Sequence, residues 1–388
     1  MTTTRRNALR NLLAFTAGSP LFAQSPDALR EKVNDEDVLG PVNIHEFEIV
    51  ARKKLHKLAY DFIAGGVEDE LTLRANRAAF DHTFLLPRVM VDTSKVDLRL
   101  NLLGMDLESP IIIAPSGGKN LVLPSADEVV ATAALASKTA ICSATGVQKL
   151  LSEGKPLNWW SNTIGSPTED SARTYAKRVQ EGGGKAIVLT VDNQYQSNRD
   201  RNNRNKFDYG YMQTGVPPTA GQKPRRPATA AMWEPHTPGM TWNYIGWLKS
   251  GAKIPVIVKG ILNPEDAALA VQNGADAIVV SNHGGRQMDA VIATLDALPA
   301  CVDAVGGKIP VLMDGGIRRG TDVVKALALG AKAVLIGRAP LWGLAAYGQP
   351  GVERVLWMLN AELKLAMGLA GTPNLGAINR RLVKQRLF

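Results

Sequence analysis

The sequence predicts an α/β fold: a TIM (β/α)₈ barrel with an N-terminal helical segment and a long loop after strand 4. Three observations point there. Eight short apolar runs rich in valine and isoleucine recur along the chain, segments of helical periodicity separate them, and the late runs stop on charged or titratable residues. Strands buried on both faces read as continuous apolar runs, and their regular alternation with helices is the signature of a parallel barrel. With 388 residues, of which 45% are hydrophobic, the chain can bury a large core. Barrels of this size commonly form one domain.

The elements follow in order. Residues 1–23 carry Arg5 and Arg6 as a pair, then a short apolar stretch broken by Gly18 and Pro20. This pattern predicts a twin-arginine signal and export to the periplasm; without it the protein would be cytoplasmic. Cleavage would remove three arginines and no acids, lowering the net charge of +9 by three. Residues 24–42 read as a polar linker, and 43–388 as a single barrel domain. Asn43–Gly66 has apolar residues at helical spacing and closes on Gly65-Gly66, predicting one helix or two short ones. The strands are expected at Pro110–Pro115, Ala140–Thr145, Leu157–Trp160 and Ala186–Asp192. The second four are expected at Pro255–Gly260, Ala277–Asn282, Pro310–Gly316 and Ala333–Arg338. Segments such as "NPEDAALAVQNG" and "TDVVKALALG" supply the helices between. Residues 208–242 break this rhythm with six prolines, from Pro217 to Pro238. A loop of that length in a compact domain is usually functional, and its place after strand 4 predicts a mobile lid over the barrel mouth.

Composition excludes several classes. No apolar run is long enough for a clean membrane span. The basic charge is not organised as a zinc finger, an RNA-binding signature or a long basic helix, so no nucleic-acid partner is expected. A solvated surface accounts for the basic stretch Ser197–Lys206 and for the C-terminal tail, while an anionic cofactor and an anionic substrate would also draw in arginine and lysine. Cys142 and Cys301 share no metal-type spacing, and no metal site is expected; buried thiols are the first reading and a disulfide the second.

In this fold the active site lies at the C-terminal ends of the strands. The predicted strand ends carry Asp192, Lys259, His283, Asp314 and Arg338, a coincidence that predicts one converging site. After strands 7 and 8, Gly315, Gly316 and Gly337 would let backbone N–H groups approach a phosphate, which Arg318 and Arg338 would neutralise. Lys259 would be a fixed positive charge beside a cofactor that becomes negative on reduction. His283, with a pKa near operating pH, suits a general base, and Asp192 could orient its ring. Arg286 could clamp a carboxylate with its planar fork. Together these predict proton abstraction from a small anionic substrate beside a phosphorylated cofactor.

The strings "VIVKG", "VSNHGGRQMD", "DGGIRRGTDVVKALALGA" and "IGR", with "YDFIAGGVEDELTLRANRAAF" before them, resemble the FMN-dependent 2-hydroxy-acid oxidases and dehydrogenases. That family includes glycolate oxidase, lactate oxidase and monooxygenase, and mandelate dehydrogenase. The resemblance runs from Asn43 to about Leu369. It implies FMN as cofactor, His283 as catalytic base paired with Asp192, and Arg286 and Arg199 as ligands of the substrate carboxylate. Lys259 would contact the flavin ring, as would Thr190. Pro115, Ser116 and Gly117 would line the flavin, with Ser143 and Ser281 also on the cofactor side. Asp314, Gly315, Gly316, Arg318, Gly337 and Arg338 would hold the ribityl chain and phosphate. The resemblance also implies a homo-oligomer, often a tetramer. The electron acceptor would be dioxygen, or a quinone or cytochrome if the protein is exported.

The chain departs from that pattern on the substrate side. Phe62 stands where the family has a tyrosine that touches the substrate carboxylate. "NWWSNT" (Asn158–Thr163) replaces a Phe-Gln-Leu-Tyr-like string, and "SGGKN" (Ser116–Asn120) a Thr- and Ala-rich one. Lactate or glycolate is therefore not carried over as substrate. Two other readings compete: a flavin-binding barrel with an altered substrate or no turnover, and a phosphosugar-type barrel without flavin. Retention of His283, Asp192, Arg199 and Arg286 argues against the first, and the "NHGGR" loop with Lys259 against the second.

Overall fold

The computed structural model describes residues 40–166, 168–219 and 239–385. Eight parallel strands form a closed barrel. They are β1 (Ile111–Ile113), β2 (Ala140–Cys142), β3 (Trp159–Thr163), β4 (Ala186–Thr190), β5 (Val256–Ile261), β6 (Ala277–Val280), β7 (Val311–Asp314) and β8 (Ala333–Ile336). Each pairs with its successor, and β8 closes on β1 through Val334 opposite Ile111. All eight lie where the apolar runs place them. The third differs in extent: it begins at Trp159, not Leu157, and continues to Thr163, because Ser161 to Thr163 pair with β4 despite their polarity.

Alternation along each strand fills two cores. Ile112, Cys142, Trp160, Val188, Ile257, Val279, Leu312 and Leu335 point into the barrel. Their neighbours Ile111, Ile141, Ile187, Val258, Ile278 and Val334 pack outward against the helices. Leu102, Met105 and Leu107, on a two-stranded hairpin (Leu100–Leu102 with Met105–Leu107), join the inner core. The indole N–H of Trp160 donates to Met105 Sδ at 3.1 Å.

The N-terminal segment forms α1 (Ile44–Lys54), α2 (Lys57–Ala64) and α3 (Leu71–Asp81). Asn43 caps α1 by accepting from Glu46 N–H, the role expected of an Asn before an apolar-periodic run. The first-turn N–H groups of α3, at Leu71 and Thr72, donate to the Asp289 carboxylate and brace the loop after β6. The helices after the strands include α4 (Ala126–Ala136), α5 (Gln148–Ser152), α6 (Glu169–Glu181), α7 (Asn243–Gly251), α8 (Pro264–Gln272), α9 (Thr294–Val305) and α10 (Gly320–Ala328). The last, α11 (Arg338–Leu369), is kinked at Tyr347 and Gly348. Val383–Gln385 pairs antiparallel with Thr83–Leu85, tying the end of the chain to the N-terminal segment.

The expected signal at residues 1–23 lies outside the described residues, as do all but Gly40 and the next two residues of the linker and positions 220–238 of the expected lid. The described part of that loop includes a helical turn, Gly210–Thr214. Cys142 and Cys301 are buried free thiols. No helix among the described residues is long and apolar enough to cross a membrane.

Candidate active site

The C-terminal strand ends converge on a cavity of about 600 Å³. Its wall holds Lys259, His283, Asp314 and Arg338 from the late strand ends, Arg199 and Arg286 from loops, and Pro115, Ser116, Gly117, Ser143 and Thr190 from the early ones. Gly315, Gly316, Arg318 and Gly337 complete it at β7 and β8. Two of the expected site residues stand behind the wall. Asp192 reaches the cavity only through His283. Ser281 is fully buried; its hydroxyl accepts from Lys259 Nζ at 3.0 Å and from the His283 backbone N–H at 3.1 Å. Ser281 does not line the cavity itself; it sets two neighbours that do.

Backbone geometry explains how the loop after β6 presents its histidine. His283, Gly284 and Gly285 take φ of +56°, +65° and +71°, the left-handed region that disfavours side chains with a Cβ. At Gly285 a Cβ would lie 2.6 Å from Leu73 N, so α3 can approach only a glycine. Asn76 of α3 and Asn282 exchange two side-chain hydrogen bonds, each 2.8 Å, locking loop to helix. The glycines after β7 serve a similar end. A Cβ at Gly316 would lie 2.2 Å from the Asn76 carbonyl oxygen; packing behind the site, as well as any ligand before it, requires glycine there.

His283 Nδ1 lies 2.9 Å from Asp192 Oδ1, which leaves Nε2 as the ring nitrogen available for a proton. Burial lowers the His283 pKa from 6.5; Asp192 opposes this, but the Lys259 and Arg199 charges push the same way as burial. The balance favours the neutral ring. Burial alone would raise the Asp192 carboxyl, but its hydrogen-bonded partner His283 and the Lys259 charge outweigh it and hold it below its ordinary value. Lys259 lies 3.2 Å from Asp314 Oδ2. Burial would lower its pKa, but Asp314 and Asp192 raise it instead, so it stays cationic.

The arginines differ from this lysine. Among the described residues, no carboxylate lies within ion-pair distance of Arg199, Arg286, Arg318 or Arg338. Burial lowers all four; for Arg286 the neighbouring Arg199 and Arg338 charges add to it, and Arg338 falls to about 10. Arg286 Nη1 donates to the carbonyls of Phe62 at 2.7 Å and Gly65 at 2.9 Å. Arg338 donates to those of Ile63, Gly284 and Gly65 at 2.8–2.9 Å. Carbonyl dipoles thus hold the guanidinium groups without cancelling their charge, an arrangement that favours anions in the cavity.

Several lining residues carry no signal in the sequence. Tyr209 lies on the excursion after β4, and its hydroxyl accepts from Gln196 Nε2. Lys119, 5% exposed, pairs with Asp127 at 2.7 Å. Asn162 accepts from the Thr190 hydroxyl at 2.9 Å. Of these, Asn162 lies just past the predicted end of strand 3 at Trp160, where reading the strand ends could have found it.

Comparison with known proteins agrees with this geometry. The model of a family described as FMN-dependent dehydrogenase matches residues 51–385. A peroxisomal (S)-2-hydroxy-acid oxidase of Oryza sativa subsp. japonica is 43% identical over 353 residues, covering 88% of this chain and 95% of the relative. An L-lactate oxidase of Nostoc sp. is 41% identical, covering 88% and 98%. Among solved structures, mandelate oxidase with (S)-4-hydroxymandelic acid superposes with a TM-score of 0.81 at 36% identity, covering 90% of this chain and all of that one. With its closed barrel and its cavity at the strand ends, the chain belongs to the FMN-dependent dehydrogenase family.

Proposed function

We propose that this enzyme oxidises a small 2-hydroxy acid to the corresponding 2-oxo acid. The observation that carries the reading is a histidine, oriented by an aspartate, in one cavity with two arginines that have no acid within ion-pair distance among the described residues. The names of the relatives, an (S)-2-hydroxy-acid oxidase and an L-lactate oxidase, suggest the substrate class.

The residues present fit FMN. Asp314 Oδ1 is buried without a hydrogen-bond partner, as an acceptor awaiting a hydroxyl would be. Gly337 sits in the wall where a Cβ would come within 3.7 Å of Ser116 Oγ, so its absence leaves room. Arg318 and Arg338 would hold the phosphate at the ends of β7 and β8, the usual phosphate position in this fold. Asp314, Gly315 and Gly316 would hold the ribityl chain. Pro115, Ser116, Gly117, Ser143, Thr190 and Lys259 would line the ring. When bound, FMN supplies the two-electron acceptor that no side chain can provide.

The chain's own residues do the rest. Arg199 and Arg286 bind the substrate carboxylate and fix its orientation. His283 Nε2 takes a proton from the substrate, and Asp192 stabilises the imidazolium that results. Lys259 keeps a positive charge at the site throughout.

The visible spectrum of the purified protein, recorded anaerobically before and after a panel of 2-hydroxy acids, tests this. Bleaching of a yellow flavin band by a member of the panel is expected. A yellow protein that no member bleaches would overturn the reading.

We further propose that residues 1–23 are a cleaved export signal, on the strength of Arg5-Arg6, and that the protein is a homo-oligomer. Exposed Trp357, Leu365 and Leu369 on α11 support the second. Stopped-flow reoxidation by air discriminates dioxygen from a quinone or cytochrome as acceptor.

A further inference from the structure

The ring of Phe62 lies against both arginines of the clamp. Its centroid lies 5.5 Å from Arg199 Cζ and 5.0 Å from Arg286 Cζ. Both distances fall within the range of an attractive cation–π contact. Phe62 also grips Arg286 through its own backbone, since its carbonyl accepts from Arg286 Nη1 at 2.7 Å. The ring is itself held: it stacks on Phe207 at 4.8 Å and 21°, and meets Tyr209 edge-on at 6.3 Å and 86°. Gly118, at φ +78°, makes room for it, because a Cβ there would lie 3.0 Å from Phe62 Cε1. Two departures in the sequence, Phe62 and the "SGGKN" stretch, are therefore one packing solution.

Two like charges converge here, with no carboxylate within ion-pair distance among the described residues. Their mutual repulsion would splay the guanidinium groups apart unless something fixed both. We propose that Phe62 is a positioning residue whose π face holds Arg199 and Arg286 in the geometry that receives the substrate carboxylate. The ring faces both cations at once, and Phe207 keeps it from turning. Phe62 makes no hydrogen bond to the substrate in this scheme; it acts through the arginines. The inference rests on the reading of Arg199 and Arg286 as the carboxylate clamp.

The test replaces Phe62 with mono-, di- and trifluorophenylalanine in the FMN-loaded enzyme. Fluorine drains the π face while nearly preserving shape, so folding is spared. Oxalate affinity is measured by calorimetry, with FMN content and melting temperature alongside. Affinity should fall stepwise with fluorination, roughly three- to tenfold in total, while FMN content stays constant. The same series at Phe207, which faces no guanidinium among the described contacts, should be flat. Phe62→Leu should raise KM with little change in kcat, and Phe62→Tyr, which keeps a ring, should restore it. A flat series at Phe62 would overturn the platform role. Arg286→Lys serves as the separate control: oxalate affinity unchanged in that variant would overturn the clamp itself, and the proposal with it.

Discussion

Replacing Asp192 by asparagine isolates what the buried carboxylate does for His283. The substitution is nearly isosteric, which matters because the site is tight: a Cβ on Gly260, at φ +116°, would lie 2.8 Å from Asp192 Cγ. It removes a charge 2.9 Å from Nδ1, on a side chain only 14% exposed. A hydrogen bond to a charged partner contributes about 1.5–3 kcal/mol. That interaction exists in full only once His283 carries a proton, so its loss falls on the transition state. The rate of flavin reduction by substrate should drop roughly ten- to 150-fold. The pH profile adds a second readout. His283 accepts a proton only when neutral, so reduction fails as pH falls through its folded pKa, which lies below 6.5. Asp192 is the group that raises that pKa against burial, so in Asp192→Asn the acid limb should move to still lower pH. Anaerobic stopped-flow across pH measures both quantities. Wild-type reduction rates with an unmoved acid limb would refute the assignment of Asp192 as the partner of the base.

Three further outcomes follow from the same geometry. His283→Gln should retain FMN, since the ring reaches the cofactor site only as a proton acceptor, and should lose most substrate-driven reduction; rapid single-turnover reduction in that variant would remove His283 as base. Gly285→Ala should destabilise by more than about 1 kcal/mol, combining a left-handed φ of +71° with a 2.6 Å approach to Leu73 N, and a melting temperature equal to wild type would contradict it. Acidification should destabilise the fold through His283, because the unfolded chain binds its proton near 6.5 and the native site only at lower pH. The stability this group confers is present above 6.5 and is lost as pH falls toward the folded pKa. A flat denaturation midpoint over that interval in wild type, or an equal slope in His283→Gln, would exclude it.

The barrel was legible because both faces of its strands are buried: an apolar run such as Ile111–Ile113 has no polar alternation to confuse it. The strand that strayed from expectation, β3, is the one whose second half, Ser161–Asn162–Thr163, is polar. Its residues join the sheet through backbone pairing with β4, which leaves no hydrophobic trace. The cofactor half of the site was legible because strand ends are fixed in sequence and the fold gathers them. Partners distant in sequence were not. The Asn76–Asn282 exchange spans 206 positions, and the contact of the Phe62 ring with two arginines depends on α2, the loop after β6 and the segment after β4 meeting in space. A missing tyrosine hydroxyl is visible in a sequence; a ring placed against two cations is not.

Charge balance leads to one more expectation. Four half-buried arginines face the cavity with no acid within ion-pair distance among the described residues, and desolvation lowers the pKa of every one. Uncompensated charge held away from water is costly, so the arginine cluster without an anion would work against the fold. An anion bound to the native state alone relieves that cost and stabilises by mass action, about 2.7 kcal/mol at a hundredfold excess over Kd. Removing FMN should therefore lower the melting temperature, and returning it should restore the loss in a concentration-dependent way. Riboflavin separates the contributions, since it carries the ring without the phosphate. If Arg318 and Arg338 supply the phosphate's share, riboflavin should restore less than FMN, and the gap should shrink in Arg318→Met. Equal rescue by the two flavins in wild type would mean that the phosphate meets no unneutralised charge, and the assignment of these two arginines would fail.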